Sequence, residues 1–295
     1  MRFMFRAPFL ALVSLLPLAT QAQTQAACTF KFFSTKTTIT DPNGNPVYLE
    51  PLGIDDFSTI VGYGTRGSIG SLGLVRRADG GVIPVTATRR LTARNEHGTM
   101  VGYDKVNGIF RGILVNGAIS PKITPIVLNV NNSGVVHPTG INKWGTIVGY
   151  YGPDMPSSNG FKRFSNGTTH ILDFPGSVPG WTIPTGINDL GTVVGSYRDI
   201  TTNLHHGFIF HNGQWATLDY PHASDTQLVG ITNTGQIIGN AGSTLFLYEN
   251  STFKIISVPN LGPGGSLLSI SPKQGLILGR MSTASSSQGF IATCQ

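Results

Sequence analysis

Histidine, arginine and aromatic side chains in the second half of the chain are the residue types best suited to bind a ligand. A metal site needs three or four converging ligands. His205 and His206 are adjacent, and His206 and His211 lie five positions apart in a predicted strand, so both pairs point to opposite faces. Together with His222 they are interpreted as loop and edge histidines, and the sequence predicts neither a metal site nor a cofactor.

The sequence shows no clear arrangement of catalytic residues. No Gly-x-Ser-x-Gly motif precedes a helix, as a nucleophilic serine would require. No pair of carboxylates stands out at the positions that a glycosidase needs. Asp173 precedes Phe-Pro and Asp219 precedes Tyr-Pro, and this repetition predicts a structural cap between repeating units. We therefore assign no catalytic residue from the sequence.

The elements that must position these side chains belong to a repeat. The pattern Gly-Ile-Asn-x-x-Gly-x-Ile-Val-Gly-x-Tyr occurs, with variations, six times, and a period in this range indicates a repeat architecture. Its second copy, over residues 93–103, departs furthest, and Pro272 interrupts the sixth. The last glycine of each copy is Gly62, Gly102, Gly149, Gly195, Gly239 and Gly279, giving spacings of 40, 47, 46, 44 and 40 residues.

One repeat, residues 183–221, shows the content of each unit. Strand A is predicted at 183–187 and strand B at 192–197, joined by an Asn-Asp-Leu-Gly turn. Strand C at 207–210 and strand D at 214–220 are joined by Asn212-Gly213, a strong hairpin signal. Gly195 lies inside strand B, where a glycine marks a bulge or a close backbone approach, here near a crowded axis. Tyr63, Tyr103, Tyr150 and the offset Tyr197 follow strand B and are interpreted as packing or rim residues.

Four short antiparallel strands repeated six times predict an all-β fold, a six-bladed β-propeller. An open solenoid and a two-layer sandwich remain alternatives. At the ends, residues 29–33 resemble strand C, residues 36–40 resemble strand D, and residues 288–293 form a strand C without a following strand D. We expect N-terminal strands to complete the blade that the C-terminus leaves open.

The repeat, followed by a (His)-x-Phe strand and Asp-aromatic-Pro, resembles bacterial extracellular repeat proteins of the HAF type. His206-Gly207-Phe208 stands where that family has its His-Ala-Phe signature, whereas Asn159-Gly160-Phe161 and Gln288-Gly289-Phe290 depart from it. The resemblance covers nearly all of the chain after its N-terminal segment. It implies export and a propeller-like β fold, and it implies no reaction and no catalytic residues.

Residues 1–26 are predicted to be a secretory signal peptide, with Arg2 and Arg6 before an apolar run. Cleavage is placed after Ala22 or Ala26, leaving residues 27–295 as one propeller domain. We expect a secreted, extracellular or periplasmic monomer without membrane insertion.

Cys28 and Cys294 are expected to form a disulfide, the rival interpretation being a lipoprotein acylated on Cys28. The net charge of +6 comes from scattered residues, which argues against a nucleic-acid partner.

Function is predicted to lie on one face of the propeller. A–B and C–D turns are short and regular, whereas B–C and D–A connections are long and variable, and variable loops on a rigid scaffold usually carry binding residues. The candidate ligand-binding residues there are Trp181, Tyr151, Arg198, His205 and His222. The sequence favours a binding or structural module for an unknown extracellular glycan or protein. The alternative is a carbohydrate-active hydrolase or lyase that uses the central funnel.

Overall fold

A computed structural model describes residues 24–66, 70–85, 90–107, 109–128, 130, 135–152, 158–282 and 287–295. The described residues form strands and turns and contain no helix; accordingly, no helix there is long and apolar enough to cross a membrane. The predicted signal peptide lies almost entirely outside the described residues.

The molecule is a six-bladed β-propeller, as the repeat predicts. Successive strands A contact one another around a closed ring, and strands B, C and D follow outward by antiparallel pairing. In blades 1 to 3 the four strands are Glu50–Ile54, Ile60–Thr65, Ser71–Arg76 and Val82–Val85; Arg90–Arg94, Thr99–Val106, Ile109–Asn116 and Lys122–Pro125; and Val135–Ile141, Ile147–Gly152, Asn159–Arg163 and Thr169–Leu172.

Blades 4 and 5 repeat this order, and blade 6 draws its strand D from the N-terminus. Their strands are Ser177–Ile187, Val193–Asp199, His205–His211 and Gln214–Thr217; Gln227–Ile231, Ile237–Ala241, Thr244–Glu249 and Thr252–Ile255; and Ser266–Ile270, Ile277–Ser282, Ser287–Cys294 and Cys28–Ser34.

Closure of the ring confirms the predicted pairing of the two chain ends and corrects its details. Cys28–Ser34 is strand D of blade 6, not a strand C, and its first residue pairs with Cys294. The predicted disulfide joins these two cysteines, with an S–S distance of 2.01 Å. Lys36–Thr40 is not a strand D, because it pairs with Pro46–Tyr48 in a separate two-stranded sheet.

A short strand precedes the closing blade. Thr24–Gln25 runs parallel to Thr252–Ile255 at the outer edge of blade 5. The amide of Ala26 donates to the carbonyl of Ile255 at 2.9 Å, and Ser257 Oγ donates to Gln25 Oε1 at 3.0 Å. Cleavage after Ala22 would keep this strand, whereas cleavage after Ala26 would remove it.

In blades 2 to 4, the asparagine of the repeat motif connects the A–B turn to the next blade. In blade 3, Asn142 Oδ1 accepts hydrogen bonds from two amides of its own turn, at 3.1 and 3.0 Å. Its Nδ2 donates to the carbonyl of Asn188, the corresponding residue of blade 4, at 3.1 Å. Asn95 and Asn188 make the same bonds to their own turns and next blades. The side chain is buried, so its repetition reflects the needs of the fold.

The recurrent glycine of strand B is explained by a close approach within each blade. A Cβ at Gly195 would lie 2.2 Å from the carbonyl oxygen of Ile183 and 2.7 Å from the ring of Phe208. Strand A has a register shift at this point, between Pro184 and Gly186. Thr185, inside the shift, donates to the carbonyl of Leu228 in blade 5 at 2.7 Å. The predicted close backbone approach therefore exists, and it is to strand A of the same blade rather than to a neighbour across the axis.

Candidate functional site

Three of the predicted residues come together on the variable-loop side of blade 4. We call this side the loop face, since it carries the B–C and D–A connections, and the opposite side the turn face. The Arg198 guanidinium carbon lies 4.7 Å from the centre of the Trp181 ring. His205 meets the same indole in a T-shaped contact at 5.6 Å. All three side chains are partly exposed, so an indole, a guanidinium and an imidazole meet at one accessible place.

The local backbone is more regular than the sequence predicts. Strand A is predicted to begin at residue 183, but it begins at Ser177. Residues 198–206 lie between the predicted strands B and C, but Arg198 pairs with His205 at the loop-face end of these strands. Asp199 Oδ1 caps the remaining tight turn by accepting from the amides of Thr201 and Thr202, at 2.9 and 2.7 Å. These bonds hold the pKa of Asp199 below its usual range. The cluster is thus built on strand ends, which position side chains better than a loop would.

The other two predicted residues have different surroundings. His222 is exposed in the connection that leads to blade 5, and its φ is 63°. Tyr151 is only 7% exposed and packs against Phe161 in the core of blade 3. Burial raises the pKa of its hydroxyl. Tyr151 alternates with Tyr150 along strand B and therefore faces the packed side, so we correct it from a ligand-binding residue to a core residue.

A second cluster on the loop face spans blades 1 to 3, and we call it the Arg90 row. It consists of Tyr63, Arg90, Tyr103, His137 and Tyr150. The Arg90 guanidinium carbon lies 4.2 Å from the centre of the Tyr63 ring, and NH1 donates to Tyr103 Oη at 3.0 Å. The His137 ring meets Tyr103 edge-on at 4.6 Å and stacks on Tyr150 at 4.9 Å.

The electrostatics of this row are dominated by one cation. Desolvation by burial, with the nearby Arg90 charge, lowers the pKa of His137 to about 4, so this imidazole is neutral at pH 7. Burial also raises the pKa of Tyr103 and of Tyr150. His137 Nδ1 is buried without a hydrogen-bond partner among the described residues. Among the described residues, the rings and hydroxyls of the row therefore lie beside the permanent positive charge of Arg90.

The depressed pKa of His137 predicts a pH-dependent loss of stability. Between pH 6.5 and 4 the unfolded chain takes up a proton at this residue and the folded protein does not, so the free energy of unfolding falls as the pH falls. The shift corresponds to roughly 3 kcal/mol, and solvent screening reduces the expected loss to about 2 kcal/mol. Urea unfolding at pH 7 and pH 4 should show this loss in the wild type and less of it in His137→Gln. Equal pH dependence in both proteins would contradict the assignment.

In blades 5 and 6, the strand B positions that correspond to Tyr63, Tyr103 and Tyr150 hold Asn240 and Arg280. Arg280 of blade 6 pairs with Glu50 of blade 1 at 3.7 Å. Asn240 of blade 5 exchanges two hydrogen bonds with the backbone of Leu267 in blade 6, at 3.2 and 3.0 Å. In contrast, Arg90 has no carboxylate partner among the described residues. The row is therefore local to three blades and is not a general feature of the propeller.

The turn face is closed around the axis by its own polar residues. The Asp189 carboxylate accepts from the amide of Lys143 at 3.0 Å and from Asn233 Nδ2 at 2.7 Å. Asp56 accepts from the amide of Lys273 at 2.8 Å, and the Lys273 ammonium contacts Glu96. The space left between these turns is about the size of one water molecule. These contacts leave little room for a ligand between the turns of this face.

Sequence reasoning missed the most exposed tryptophan. Trp144, at the tip of an A–B turn, is 63% exposed, whereas Trp181 is only partly exposed. Its Nε1 donates to the carbonyl of Asp189 at 2.9 Å, and the Lys143 ammonium lies 4.6 Å from the ring centre. Its place in the turn, two residues after the buried asparagine, was the available signal. Trp215 is a packing residue that contacts the rings of Phe174, Phe208 and Phe210.

His206 and Asp219 contact each other within blade 4. His206 Nδ1 lies 2.7 Å from Asp219 Oδ2, and the amide of Gly207 donates to Asp219 Oδ1 at 3.1 Å. Asp219 therefore ties the chain after strand D to strand C of the same blade, whereas the sequence predicts a cap between repeating units. Within the described parts of the chain, no group of three or more histidine, cysteine or acidic residues could hold a metal ion.

Comparisons with known proteins place the chain among propellers. No protein-family model matches it, and no curated protein matches it. A structural-genomics target assigned as a gluconolactonase is similar with a TM-score of 0.53 and 11% identity, over 92% of this chain and 95% of the other. The Aleuria aurantia lectin, solved as a point mutant in complex with alpha-methyl-L-fucoside, has a TM-score of 0.51 and 11% identity, over 83% and 92%. TolB from Acinetobacter baumannii has a TM-score of 0.51 and 10% identity, over 80% and 64%.

These similarities establish the propeller fold but neither a ligand nor an activity. At such low identity, a shared propeller supports both binding proteins and hydrolases. The choice between the two depends on the side chains of the loop face.

Proposed function

We propose that this protein is an exported binding module that holds an extracellular glycan on its loop face. The proposal is carried by one observation: Trp181, Arg198 and His205 converge at an accessible place on a rigid blade. A protein ligand is the second possible partner that the sequence left open. The aromatic and cationic composition suits either, and the experiment below separates them.

The chemistry of the cluster suits a sugar. An indole offers an apolar surface to the C–H face of a pyranose ring, and it loses little conformational entropy on binding. The Arg198 guanidinium supplies several N–H donors in a fixed plane for hydroxyl or carboxylate oxygens. Arg198 Nε also donates to the carbonyl of Asn203 at 3.4 Å, which limits the motion of this side chain. A partly ordered site reduces the entropy cost of binding.

In the described part of the chain, the carboxylates with shifted pKa values offer no candidate for a general acid. A general acid at neutral pH needs a carboxyl group with a raised pKa. The carboxylates with shifted pKa values among the described residues, Asp41, Asp199 and Glu249, are all shifted downward by hydrogen bonds. The alternative hydrolase or lyase in the central funnel is therefore retained as an outcome of the test rather than as the proposal.

Export is part of the same proposal. The chain begins with a predicted signal peptide, and the fold is closed by a disulfide of the kind that persists in oxidising compartments. We place the mature protein outside the cytoplasm, either in a periplasm or in the extracellular medium, as a monomer.

A glycan array probed with the mature, oxidised protein tests the binding function, with release of reducing ends from each ligand measured in parallel. For the best ligand, Trp181→Ala and Arg198→Ala should each weaken binding about tenfold or more, since both remove a central contact. Lys143→Ala, on the turn face, is the control and should leave binding unchanged. If only Lys143→Ala loses binding, the site lies on the turn face and the proposal is contradicted. Cleavage of the bound glycan would show that the protein is an enzyme instead. If the protein binds no glycan, a protein ligand is the remaining candidate.

A further inference from the structure

The Arg90 row contains a guanidinium with N–H donors that no described residue occupies. Arg90 has five N–H donors, and its one hydrogen bond among the described residues is to Tyr103 Oη, at 3.0 Å. In blade 6, Arg280 stands at the strand B position that Tyr103 occupies in blade 2, and it is paired with Glu50. An arginine held over the Tyr63 ring at 4.2 Å is fixed in orientation and partly desolvated. Both conditions strengthen its attraction for an anion.

The rings that contact Arg90 among the described residues are tyrosines. Tyr63 lies on one side and Tyr103 on another, and His137 and Tyr150 continue the row as a stacked pair. The neutral imidazole of His137 adds no second cation, while its buried Nδ1 has no partner among the described residues. A ligand that matches this row carries one planar anionic group beside a ring with an apolar face.

We propose that the Arg90 row is a second glycan site, and that it binds the carboxylate of a uronic acid unit in an acidic polysaccharide. Arg90 holds the carboxylate in the two-pronged geometry that guanidinium groups form with carboxylates. Tyr63, Tyr103 and Tyr150 offer ring surface to the sugar and hydroxyls to its oxygens. The proposal rests on the glycan-binding function proposed for the loop face.

This site extends the proposed function in a definite way. The row lies on blades 1 to 3 and the Trp181 cluster on blade 4, so the two occupy consecutive blades at the same face. A linear polysaccharide laid across that face would contact both places, and two linked contacts strengthen binding through effective concentration. The expected ligand is therefore an oligomer, and single uronic acid units should bind more weakly than oligomers.

Calorimetric titration tests the proposal with oligomers of galacturonate, glucuronate, mannuronate and guluronate, each beside its neutral counterpart. At least one acidic oligomer should bind about ten times more tightly than its counterpart. Arg90→Gln should remove that preference, and Arg90→Lys should weaken it, because lysine keeps the charge and loses the planar fork. Lys143→Gln lowers the net charge equally on the turn face, so it controls for nonspecific attraction and should change affinity less than twofold.

A second measurement uses the unaltered protein and so does not depend on the folding of a variant. NMR titration of His137 should show its pKa rising from about 4 when an acidic oligomer is bound, because the ligand carboxylate compensates the Arg90 charge. The neutral oligomer should leave this pKa unchanged.

Two outcomes would overturn the inference. One is unaltered binding of every acidic oligomer in Arg90→Gln; the other is the lack of any preference for acidic over neutral oligomers. Neutral binding that is lost in Trp181→Ala would then leave the proposed function standing without a uronate site. Acidic binding that depends on Arg90 but not on Trp181 would support the inference and contradict the role of the Trp181 cluster.

Discussion

Replacing both Cys28 and Cys294 by serine should lower the free energy of unfolding by about 3 to 5 kcal/mol. The two residues are 266 positions apart, so the disulfide closes almost the whole folded chain and strongly restricts the unfolded state. It also joins strand D of blade 6 to strand C, at the seam where the ring closes. Urea unfolding of the oxidised wild type and of the double variant, under identical conditions, measures the difference.

Reduction of the wild type provides the matched control, because it removes the same bond without changing the side chains. The reduced wild type and the double variant should unfold at similar urea concentrations. A loss below about 1 kcal/mol would show that the strands of blade 6 close the ring without covalent help. Mass spectrometry of the exported protein should find the two cysteines linked, and free thiols or a lipid on Cys28 would contradict the disulfide.

Gly195→Ala should destabilise the protein by about 3 kcal/mol. The new Cβ would lie 2.2 Å from a backbone oxygen of strand A and 2.7 Å from the fully buried ring of Phe208. Neither neighbour can withdraw without moving the blade. Gly140→Ala is the control, since its nearest neighbours are the Val148 methyl at 3.2 Å and a backbone carbon at 3.5 Å.

Thermal unfolding followed by circular dichroism compares the two variants. Gly195→Ala should unfold at a clearly lower temperature than Gly140→Ala. If Gly195→Ala is as stable as the wild type, the strand A bulge relaxes freely, and the close approach does not explain the repeated glycine.

The repeat made the fold predictable because its turn residues and its strand B glycine meet geometric needs that recur from blade to blade. Asn142 and Asn188 cap a turn and bind the next blade, and the glycine of strand B admits the bulge of strand A. A motif with a geometric cause recurs at the blade period, so its spacing gives the blade count. The outer strands lack such a motif, and this is why Cys28–Ser34 and Lys36–Thr40 were assigned to the wrong positions.

The candidate site was only partly predictable, because binding residues do not repeat. Trp181 was chosen from its residue type and its place in a predicted D–A connection, and Arg198 and His205 from theirs in a predicted B–C connection; the structure places all three on strands. Tyr151 was misplaced because it is one residue from Tyr150, and in a strand that step reverses the face. Arg90 and His137 occupy matching positions in neighbouring strands A. Their meeting with the tyrosines across blades depends on the strand register, which the sequence alone does not provide.

Ligand binding at the loop face is the property on which both proposed sites depend. Hydrogen–deuterium exchange of the mature protein, with and without its best array ligand, tests it without any mutation. We expect added protection in the loop-face ends of the blade 4 strands Ser177–Ile187, Val193–Asp199 and His205–His211. Exchange in the turns at 142–146 and 188–192 should not change. Protection confined to those turns, around the exposed Trp144, would contradict binding at the loop face and move the site to the turn face.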